Sequence, residues 1–388
     1  MSSHDQGAAA RTNASSSTQQ RKNDHIRINL DEDVYGREVT TGFERYRFVH
    51  NALPELGLHD ITLDTELFGR RLAMPILISS MTGGTSPARD ILRNLATAAE
   101  EAGIAIGAGS QRAAIENPSL AEYYDVRDVA PTTLVFANLG AVQLNYGIGV
   151  DGCRRAVDML RADALILHLN PIQEAIQADG NHDFSGLIDK IGQVCDALDV
   201  PVIVKEVGFG ISGDVARRLV EQGVAAIDTS GAGGTSWSAV EAFRAATPLH
   251  RALGEAFVGW GIPTSESLAM VRVSAPGTPV IVSGGMRGGV DAAKALALGG
   301  DLVGFAGPLL RAATESPERV LEDLAIIREG LRLAMFGVGA KRIADLRTAP
   351  MVGPDGSMLP PREVHPPDTQ PEPTHQNGHA RGASHVSR

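Results

Sequence analysis

The chain has 388 residues, of which 43% are hydrophobic and only 4% aromatic, and it contains 43 glycines. This composition excludes a wholly disordered protein and indicates an α/β enzyme core with loops lined by backbone. A formal net charge of −11 argues against binding to nucleic acid or to anionic membranes, because both need a basic surface. An anionic ligand therefore has to be held by a local cluster of groups.

The first 20 residues are rich in Ser, Ala, Gln and Asn and lack the apolar core of a secretory signal. No apolar stretch is long enough to cross a bilayer. The two cysteines, Cys153 and Cys195, lack metal-ligand spacing and are predicted to be small buried thiols. We therefore expect a cytoplasmic protein without membrane insertion or disulfides.

A basic segment, RKNDHIRINL at 21–30, follows residues 1–20, which are predicted to be a disordered tail. A charge run of this kind is most often a solvated surface. Its position ahead of the first strand also allows a lid that brings Arg21 and Lys22 to an anion. The sequence leaves both interpretations open.

Short apolar runs recur along the chain, at 74–84, 104–112, 133–141, 164–171, 201–210, 225–234, 279–286 and 302–308. Their Val, Ile, Leu and Ala residues are continuous, as in strands covered on both faces, and helical periodicity fills the gaps. These β/α units predict the α/β class and a (β/α)8 TIM barrel, with an open doubly wound sheet as the alternative. The barrel domain is predicted at 21–348, with a lid and lead-in segment at 21–73 and a disordered Pro/His-rich tail at 349–388.

Glycine-rich loops follow the seventh and eighth predicted strands, as SGGMRGGVD at 283–291 and GFAGPLL at 304–310. Active sites of such barrels form at the C-terminal ends of the strands, and the loops after these two strands commonly hold a phosphate on helix N-termini. Either loop alone also suits a tight turn, but the pair predicts a phosphorylated cofactor.

Lys205 lies inside the apolar run PVIVKEVG, where an unpaired ammonium would be costly to bury. It either faces the barrel mouth, where it could hold the electron-rich edge of a flavin, or pairs with a carboxylate of a neighbouring strand. Glu206 points to the opposite face of the strand and is interpreted as structural.

Polar residues also follow the second and third strands: Ser110, Gln111 and Arg112 after the second, and Asn138 at the end of the third. Each of them either binds a ligand or caps the backbone, and none is specific by itself.

The stretch HLNPIQE at 168–174 ends the fourth strand with a cluster of polar residues. His168 and Asn170 are two positions apart and so project on one face, towards the barrel axis, while Gln173 and Glu174 lie at the rim. A lone carboxylate binds Mg²⁺ when a diphosphate supplies further oxygens. No Ser/His/Asp or Cys/His arrangement is evident, which argues against a side-chain nucleophile.

Taken together, RKNDH, ILISSMTGG, GSQRAAIENP, ANLGA, HLNPIQE, PVIVKEVGFGIS, DTSGAGGTSW, WGIPT and SGGMRGGVDAAKALALGGD resemble the type 2, FMN-dependent isopentenyl-diphosphate isomerases. HLNPIQE and GAGGTSW are the most specific motifs, and one departure is ADG at 178–180, where the family usually has Pro-Glu-Gly. The resemblance implies that isopentenyl and dimethylallyl diphosphate are interconverted by moving a proton. It also implies reduced FMN, Mg²⁺, NADPH as reductant, and a homo-tetramer or octamer.

The same resemblance implies roles for individual residues. The diphosphate substrate would contact Arg21, Lys22, Ser110, Gln111, Arg112, His168, Asn170 and Gln173, and Glu174 would bind the metal. The flavin would contact Met81, Thr82, Gly83, Ser110, Asn138, Lys205, Ser230 and Thr235, with its phosphate on Gly285, Met286, Arg287, Ala306 and Gly307.

Gln173 and Lys205 are the candidate catalytic residues. Because a glutamine is neither a useful acid nor a useful base, we expect reduced FMN to exchange the protons, Lys205 to hold the flavin and Gln173 to orient the reacting carbons or a water. One alternative is an FMN-dependent oxidoreductase of the hydroxy-acid oxidase type. It requires a catalytic His with an adjacent Arg, a pair that is not evident near the sixth or seventh strand. The other alternative is a non-catalytic flavin- or phosphate-binding protein.

Overall fold

The computed structural model describes residues 19–36 and 38–360, and its centre is a closed barrel of eight parallel strands. The strands, in chain order, are β1 (Arg47–Phe48), β2 (Thr65–Leu67), β3 (Arg70–Leu72), β4 (Ile76–Ile78), β5 (Ala105–Gly107), β6 (Val135–Gly140), β7 (Ala164–His168), β8 (Val202–Lys205), β9 (Ala226–Asp228), β10 (Val280–Val282), β11 (Leu302–Phe305) and β12 (Met351–Val352). Strands β4 to β11 form the barrel and coincide with the eight predicted runs. The predicted TIM barrel is therefore confirmed.

Helices connect successive barrel strands and surround them. They are α1 (19–31), α2 (Ser86–Ala102), α3 (Arg112–Glu116), α4 (Val150–Leu160), α5 (Pro171–Ile176), α6 (Leu187–Ala197), α7 (Gly213–Glu221), α8 (Trp237–Arg244), α9 (Pro248–Ala256), α10 (Thr264–Ser274), α11 (Gly289–Ala297), α12 (Gly307–Ala313), α13 (Pro317–Val338) and α14 (Ile343–Leu346). Helix α2 shows the local rules clearly: the Thr85 side chain accepts from the Ala88 N–H at its start, and Gly103, at φ 64°, ends it.

The N-terminal end of the barrel is plugged by the hairpin β2–β3. Leu67 and Leu72 of the hairpin are buried in the same apolar cluster as Phe136 of β6, and the hairpin turn carries Phe68 against the Phe136 ring at a centroid distance of 6.4 Å. In the described part of the chain this end is closed by side chains, so we expect ligands to enter at the C-terminal mouth, where the connecting loops converge.

The ordered domain continues past the predicted boundary at residue 348. Strand β12 pairs with β1 in antiparallel register, with Arg47 opposite Val352 and Phe48 opposite Met351. Met351 is buried, so residues 349–360 belong to the folded domain rather than to a tail. The remaining predicted tail residues, 1–18 and 361–388, lie outside the described residues, whereas residues 19 and 20 already belong to α1.

Neither cysteine forms a disulfide in the described part of the chain, as expected. Cys153 is buried in α4 and Cys195 is half-buried in α6. Burial raises the pKa of the Cys153 thiol to about 12, and burial followed by the charge of Asp196 raises that of Cys195 to about 11. Both thiols are therefore unreactive near neutral pH. None of the described helices is long and apolar enough to span a membrane.

Replacing Phe136 with Ala should lower the free energy of unfolding by about 3–5 kcal/mol, because the ring is fully buried between the plug and the barrel interior. Urea unfolding followed by circular dichroism measures the loss. Phe243→Ala is the matched control, since that ring is 43% exposed, and it should cost about 0.5 kcal/mol or less. Equal losses in the two variants would contradict the position of Phe136 in the core.

Candidate active site

A single large cavity occupies the C-terminal mouth of the barrel, and nearly all predicted site residues line it. Those at the cavity are Arg21, Lys22, Met81, Thr82, Gly83, Ser110, Arg112, Asn138, His168, Asn170, Gln173, Glu174, Lys205, Ser230, Thr235, Gly285, Met286, Arg287, Ala306 and Gly307. They come from the C-terminal ends of barrel strands, from the loops that follow the strands, and from α1. The barrel topology therefore explains why residues so distant in sequence share one cavity.

Gln111 is the exception, because its side chain does not line the cavity; its contact with substrate stays a prediction. Its side chain is fully buried and turned away from the cavity, with Oε1 accepting from the Asn138 N–H at 2.9 Å and Nε2 donating to the Ala156 carbonyl at 2.8 Å. The amide thus ties the end of β5 to β6 and α4. Its neighbours Ser110 and Arg112 lie on the cavity side instead.

The loops after β10 and β11 form a cradle of backbone. Gly285 has φ +69°, and a Cβ placed on it would lie 2.4 Å from the Gly233 carbonyl oxygen, so no larger residue fits. Helix α11 begins in the first of these loops without a capping side chain, which leaves N–H groups of its first turn available. Helix α12 also begins without one, but Pro308 has no N–H and the Leu309 N–H donates to the Ala306 carbonyl, so it offers the Gly307 N–H. This arrangement suits a phosphate, as predicted from the paired glycine-rich loops.

Several buried polar atoms at the cavity have no hydrogen-bond partner among the described residues. They include Ser79 Oγ, Ser80 Oγ and Asn170 Oδ1. Buried polar groups are nearly always hydrogen-bonded, so these atoms indicate a bound polar ligand. The two serines directly follow β4, and they were missed from sequence because they look like ordinary residues after a strand.

Lys205 both faces the barrel mouth and pairs with a carboxylate of a neighbouring strand, the two arrangements that the sequence left as alternatives. Its Nζ lies 3.6 Å from Asp228 Oδ2 on the neighbouring strand β9, and the side chain also borders the cavity. The other carboxylate oxygen of Asp228 accepts from Ser283 Oγ at 2.5 Å and from the Ser230 N–H at 3.3 Å. Asp228 therefore offsets the buried ammonium and orients two further groups at the cavity wall.

Glu206 is structural, as interpreted from its side of the strand. Its Oε2 accepts from the N–H groups of Val207, Gly208 and Phe209 at 2.6 to 2.8 Å, which fixes the loop after β8. Burial raises the pKa of Glu206 to about 7, although these N–H groups favour the carboxylate.

His168 lies at the end of β7 with its Nδ1 2.8 Å from Asn138 Oδ1. Burial, followed by the charges of Lys205 and Lys22, lowers the pKa of His168 to about 4. The imidazole is therefore neutral near pH 7. With its one N–H donating from Nδ1 to Asn138 Oδ1, the neutral ring can only accept a hydrogen bond at Nε2 and adds no positive charge.

Gln173 is held at both ends of its amide. Its Oε1 accepts from Asn170 Nδ2 at 3.1 Å, and its Nε2 donates to Glu241 Oε1 at 3.3 Å. Glu241 also contacts His25 Nε2 at 3.0 Å and Arg244 Nη1 at 2.5 Å. Burial acts to raise the pKa of Glu241, but the hydrogen bond and charge of His25, the charge of Arg244 and the hydrogen bond from Gln173 together lower that pKa.

Glu174 is a solitary carboxylate on α5. Its Oε1 accepts from Asn170 Nδ2 at 3.1 Å and its Oε2 from the Asn181 N–H at 2.6 Å. No cluster of three His, Cys, Asp or Glu residues among the described residues could hold a metal by itself. Glu174 is thus suited to a cation that takes most of its oxygens from a ligand or water. Nearby, a Cβ on Gly180 would lie 1.8 Å from the Glu174 carbonyl oxygen, so glycine is required at that position of ADG.

Three cationic side chains meet at one side of the cavity: Arg21 and Lys22 of α1, and Arg112 at the start of α3. Arg112 is paired with Glu116 at 2.7 Å, but Lys22 donates only to neutral oxygens, the Ser110 carbonyl at 3.2 Å and Tyr124 Oη at 3.3 Å. We call these three residues the cation cluster. Positive charge that is only partly balanced by carboxylates indicates an anion-binding site.

Loss of hydration, followed by the charges of Arg21 and Arg112, lowers the pKa of Lys22 to about 7, while Glu116 acts weakly in the opposite direction. Burial also lowers the pKa of Arg21, and Glu174 opposes that shift. The cluster is therefore strained electrostatically in the absence of an anion.

Helix α1 supports the lid interpretation of the basic segment rather than the solvated one. Arg21, His25 and Asn29 recur every four residues and all border the cavity. The helix is anchored by the His25–Glu241 contact and by Ile28, which packs with Val240 of α8. His25, Glu241 and Tyr124 were missed from sequence because nothing local marks a helical residue as part of a distant site.

Comparison with known proteins places the chain among flavin enzymes. The FMN-dependent dehydrogenase family matches residues 14–122 and 168–352. The chain is 51% identical over 337 residues to an isopentenyl-diphosphate delta-isomerase of Nostoc sp., covering 87% of this chain and 96% of the relative. It is 52% identical over 341 residues to the protein of that name from Synechococcus sp., covering 88% and 98%.

Solved structures of lower identity share the fold. A lactate oxidase of Pediococcus acidilactici superposes with a TM-score of 0.58 at 18% identity, covering 90% of this chain and 95% of that one. A mandelate oxidase variant with (S)-mandelic acid gives a TM-score of 0.57 at 20% identity, covering 81% and 88%. These similarities concern the barrel alone.

The affinity of the protein for inorganic diphosphate should fall as the pH rises through about 7. Lys22, with its pKa lowered to about 7, is charged below this pH and neutral above it, so each pH unit above 7 should weaken binding by up to about tenfold. Isothermal titration calorimetry between pH 6 and 8.5 measures the effect. Lys22→Arg controls for titration of the ligand and should lack this decline. Parallel pH profiles for the two proteins would contradict the assignment to Lys22.

Proposed function

This chain belongs to the FMN-dependent dehydrogenase family and, within it, to the isopentenyl-diphosphate delta-isomerases, and on that premise we propose that it interconverts isopentenyl diphosphate and dimethylallyl diphosphate in isoprenoid biosynthesis. The reaction moves a carbon–carbon double bond by adding a proton to one carbon and removing a proton from another. Bound in its reduced form, FMN supplies the acid and base for these proton transfers.

The observation that carries this proposal is that one cavity contains two separate anion-binding regions. The backbone cradle lies after β10 and β11, whereas the cation cluster lies on α1 and after β5. A flavin mononucleotide needs the first for its single phosphate, and a diphosphate substrate needs the second. An enzyme without a phosphorylated cofactor would need only one such region.

The residues proposed to hold FMN fit a flat, polar group with a phosphate at one end. The glycine cradle accepts the phosphate, the unpartnered Ser79 and Ser80 hydroxyls lie at the same wall, and Lys205 offers a buried cation to an electron-rich ring edge. The full proposed set comprises Met81, Thr82, Gly83, Ser110, Asn138, Lys205, Ser230, Thr235, Gly285, Met286, Arg287, Ala306 and Gly307.

The substrate diphosphate is proposed to bind to the cation cluster with help from Ser110, His168 and Asn170. Helix α1 carries two of the cluster's charges and covers the cavity mouth, so binding also removes water from the reacting carbons. The imidazole of His168 adds neither a charge nor an acidic proton to this region near neutral pH, since burial lowers its pKa to about 4.

Gln173 is proposed to orient the reacting carbons. Both ends of its amide are fixed by Asn170 and Glu241, so the side chain presents one constant face to the cavity. An amide does not exchange protons usefully near neutral pH, and the lowered pKa of Glu241 keeps that carboxylate ionised beside His25. The side chains around Gln173 therefore act as positioning groups.

Glu174 is proposed to bind Mg²⁺ together with substrate oxygens and water, which is how a site with one carboxylate holds this ion. NADPH is proposed as the reductant that keeps the flavin reduced. Because the isomerisation returns all electrons to the product, NADPH is needed only to prime the enzyme. We also propose a cytoplasmic homo-oligomer, a tetramer or an octamer, on the basis of the family.

An oxidoreductase of the hydroxy-acid oxidase type shares the barrel but not the site. The cavity histidines among the described residues are His25 on α1 and His168 on β7, and neither follows the sixth or seventh barrel strand. The relatives with about 50% sequence identity to this chain are named as isomerases, whereas the oxidases have only about 20% sequence identity to it. These findings favour isomerisation.

Turnover in heavy water tests the proposed function directly. The protein with FMN, Mg²⁺ and a small amount of NADPH should convert isopentenyl diphosphate and place deuterium in both isopentenyl and dimethylallyl diphosphate, as followed by NMR. The NADPH consumed should stay far below one equivalent of product, and chelation of Mg²⁺ should stop the reaction. Conversion without deuterium uptake, or with one NADPH oxidised per product, would rule out the proton-transfer function.

A further inference from the structure

Tyr124 lies directly behind the cation cluster and is fully buried. Its hydroxyl donates to the Ser110 carbonyl at 2.6 Å and accepts from Lys22 Nζ at 3.3 Å. Lys22 also donates to the same Ser110 carbonyl at 3.2 Å. The tyrosine hydroxyl, the carbonyl and the ammonium thus form a closed triangle of hydrogen bonds.

The direction of these bonds is fixed by chemistry. Burial raises the pKa of Tyr124 well above its usual range, so the phenol keeps its proton and donates it along the short bond to Ser110. The phenol oxygen then has only lone pairs to offer Lys22. With two N–H groups of the ammonium directed to neutral oxygens, the third is left for the cavity.

The loop after β4 packs against the same triangle. A Cβ on Gly83 would lie 2.6 Å from Tyr124 Cε1, and one on Gly84, at φ +81°, would lie 2.8 Å from Lys22 Nζ. Two consecutive glycines therefore let the backbone proposed to contact FMN approach both side chains. Tyr124 connects the flavin side of the cavity with the anion side.

We propose that Tyr124 is a positioning residue for the isomerisation: its hydroxyl fixes Lys22 and the Ser110 carbonyl so that the remaining N–H of Lys22 is directed at the substrate diphosphate. The role rests on the proposed function, because it assumes that the cation cluster binds a diphosphate. Tyr124 itself contacts neither the substrate nor the flavin in this proposal and acts through Lys22.

Tyr124→Phe tests the role, because it removes the hydroxyl and keeps the ring against the glycine loop. The variant should raise the KM for isopentenyl diphosphate by roughly tenfold and leave kcat within about threefold, since the lost hydrogen bond to a charged group affects binding. The dissociation constant for inorganic diphosphate, measured by calorimetry without turnover, should rise by the same factor. Bound FMN should keep its absorbance spectrum.

Tyr123→Phe is the matched control. Tyr123 is the adjacent residue, its ring contacts Arg89 rather than the cation cluster, and its hydroxyl has no hydrogen bond to another described residue. Loss of this hydroxyl should leave KM and diphosphate binding unchanged. Equal weakening in both variants would overturn the proposal.

A double-variant comparison separates positioning from general damage to the fold. If the hydroxyl acts through Lys22, Tyr124→Phe should have no further effect on diphosphate binding once Lys22 is replaced with Met. The same tenfold loss in both backgrounds would overturn the proposal. Because this readout uses inorganic diphosphate alone, it remains valid even if the protein fails to isomerise isopentenyl diphosphate, so failures of the two proposals are distinguishable.

Discussion

Positive charge that is held at the cavity and only partly balanced by carboxylates is the constraint on which the proposed site depends. Lys22 donates only to two neutral oxygens, and the charges of Arg21 and Arg112 oppose its protonation. Such an arrangement is unfavourable unless an anion completes it. The cluster is therefore proposed as a binding site whose affinity derives from relief of repulsion, which would give an acidic protein a local means of capturing a diphosphate.

The barrel makes the site that contains this strained cation cluster selective for its ligands. Its N-terminal end is closed by the Phe68 plug, so the cavity is open only where the strand-end loops and α1 meet. Two carboxylates buried behind the cavity wall already have partners: Asp228 beside Lys205, and Glu241 beside His25. The two proposed ligands therefore have separate regions: the cofactor phosphate is proposed to bind to backbone N–H groups, and the substrate diphosphate to side chains. The reacting carbons are left between fixed, non-nucleophilic groups.

The sequence was sufficient for the barrel because continuous apolar runs and strand-end polar residues report the fold locally. It was not sufficient to predict in which direction a side chain points or which residues far apart in the chain contact each other. Gln111 looked equivalent to Ser110 and Arg112, but its amide turns to β6 and α4 instead. The end of the domain was placed too early because the two-residue strand β12 gains its pairing from β1, about three hundred residues before it. Nothing in the sequence around Tyr124 marks it as part of the site, since its proposed role depends on the loop after β4 and on α1, both far from it in the chain.

The central claim is that an anion stabilises α1 by neutralising the cation cluster. Hydrogen–deuterium exchange of the amides in residues 19–31, with and without inorganic diphosphate, measures this most directly. Ligand at about one hundred times its dissociation constant should add roughly 2.7 kcal/mol to the stability of any state that binds it, so exchange across α1 should slow by up to about a hundredfold. Exchange in α1 that is unchanged by diphosphate, while the ligand binds elsewhere or not at all, would contradict the account.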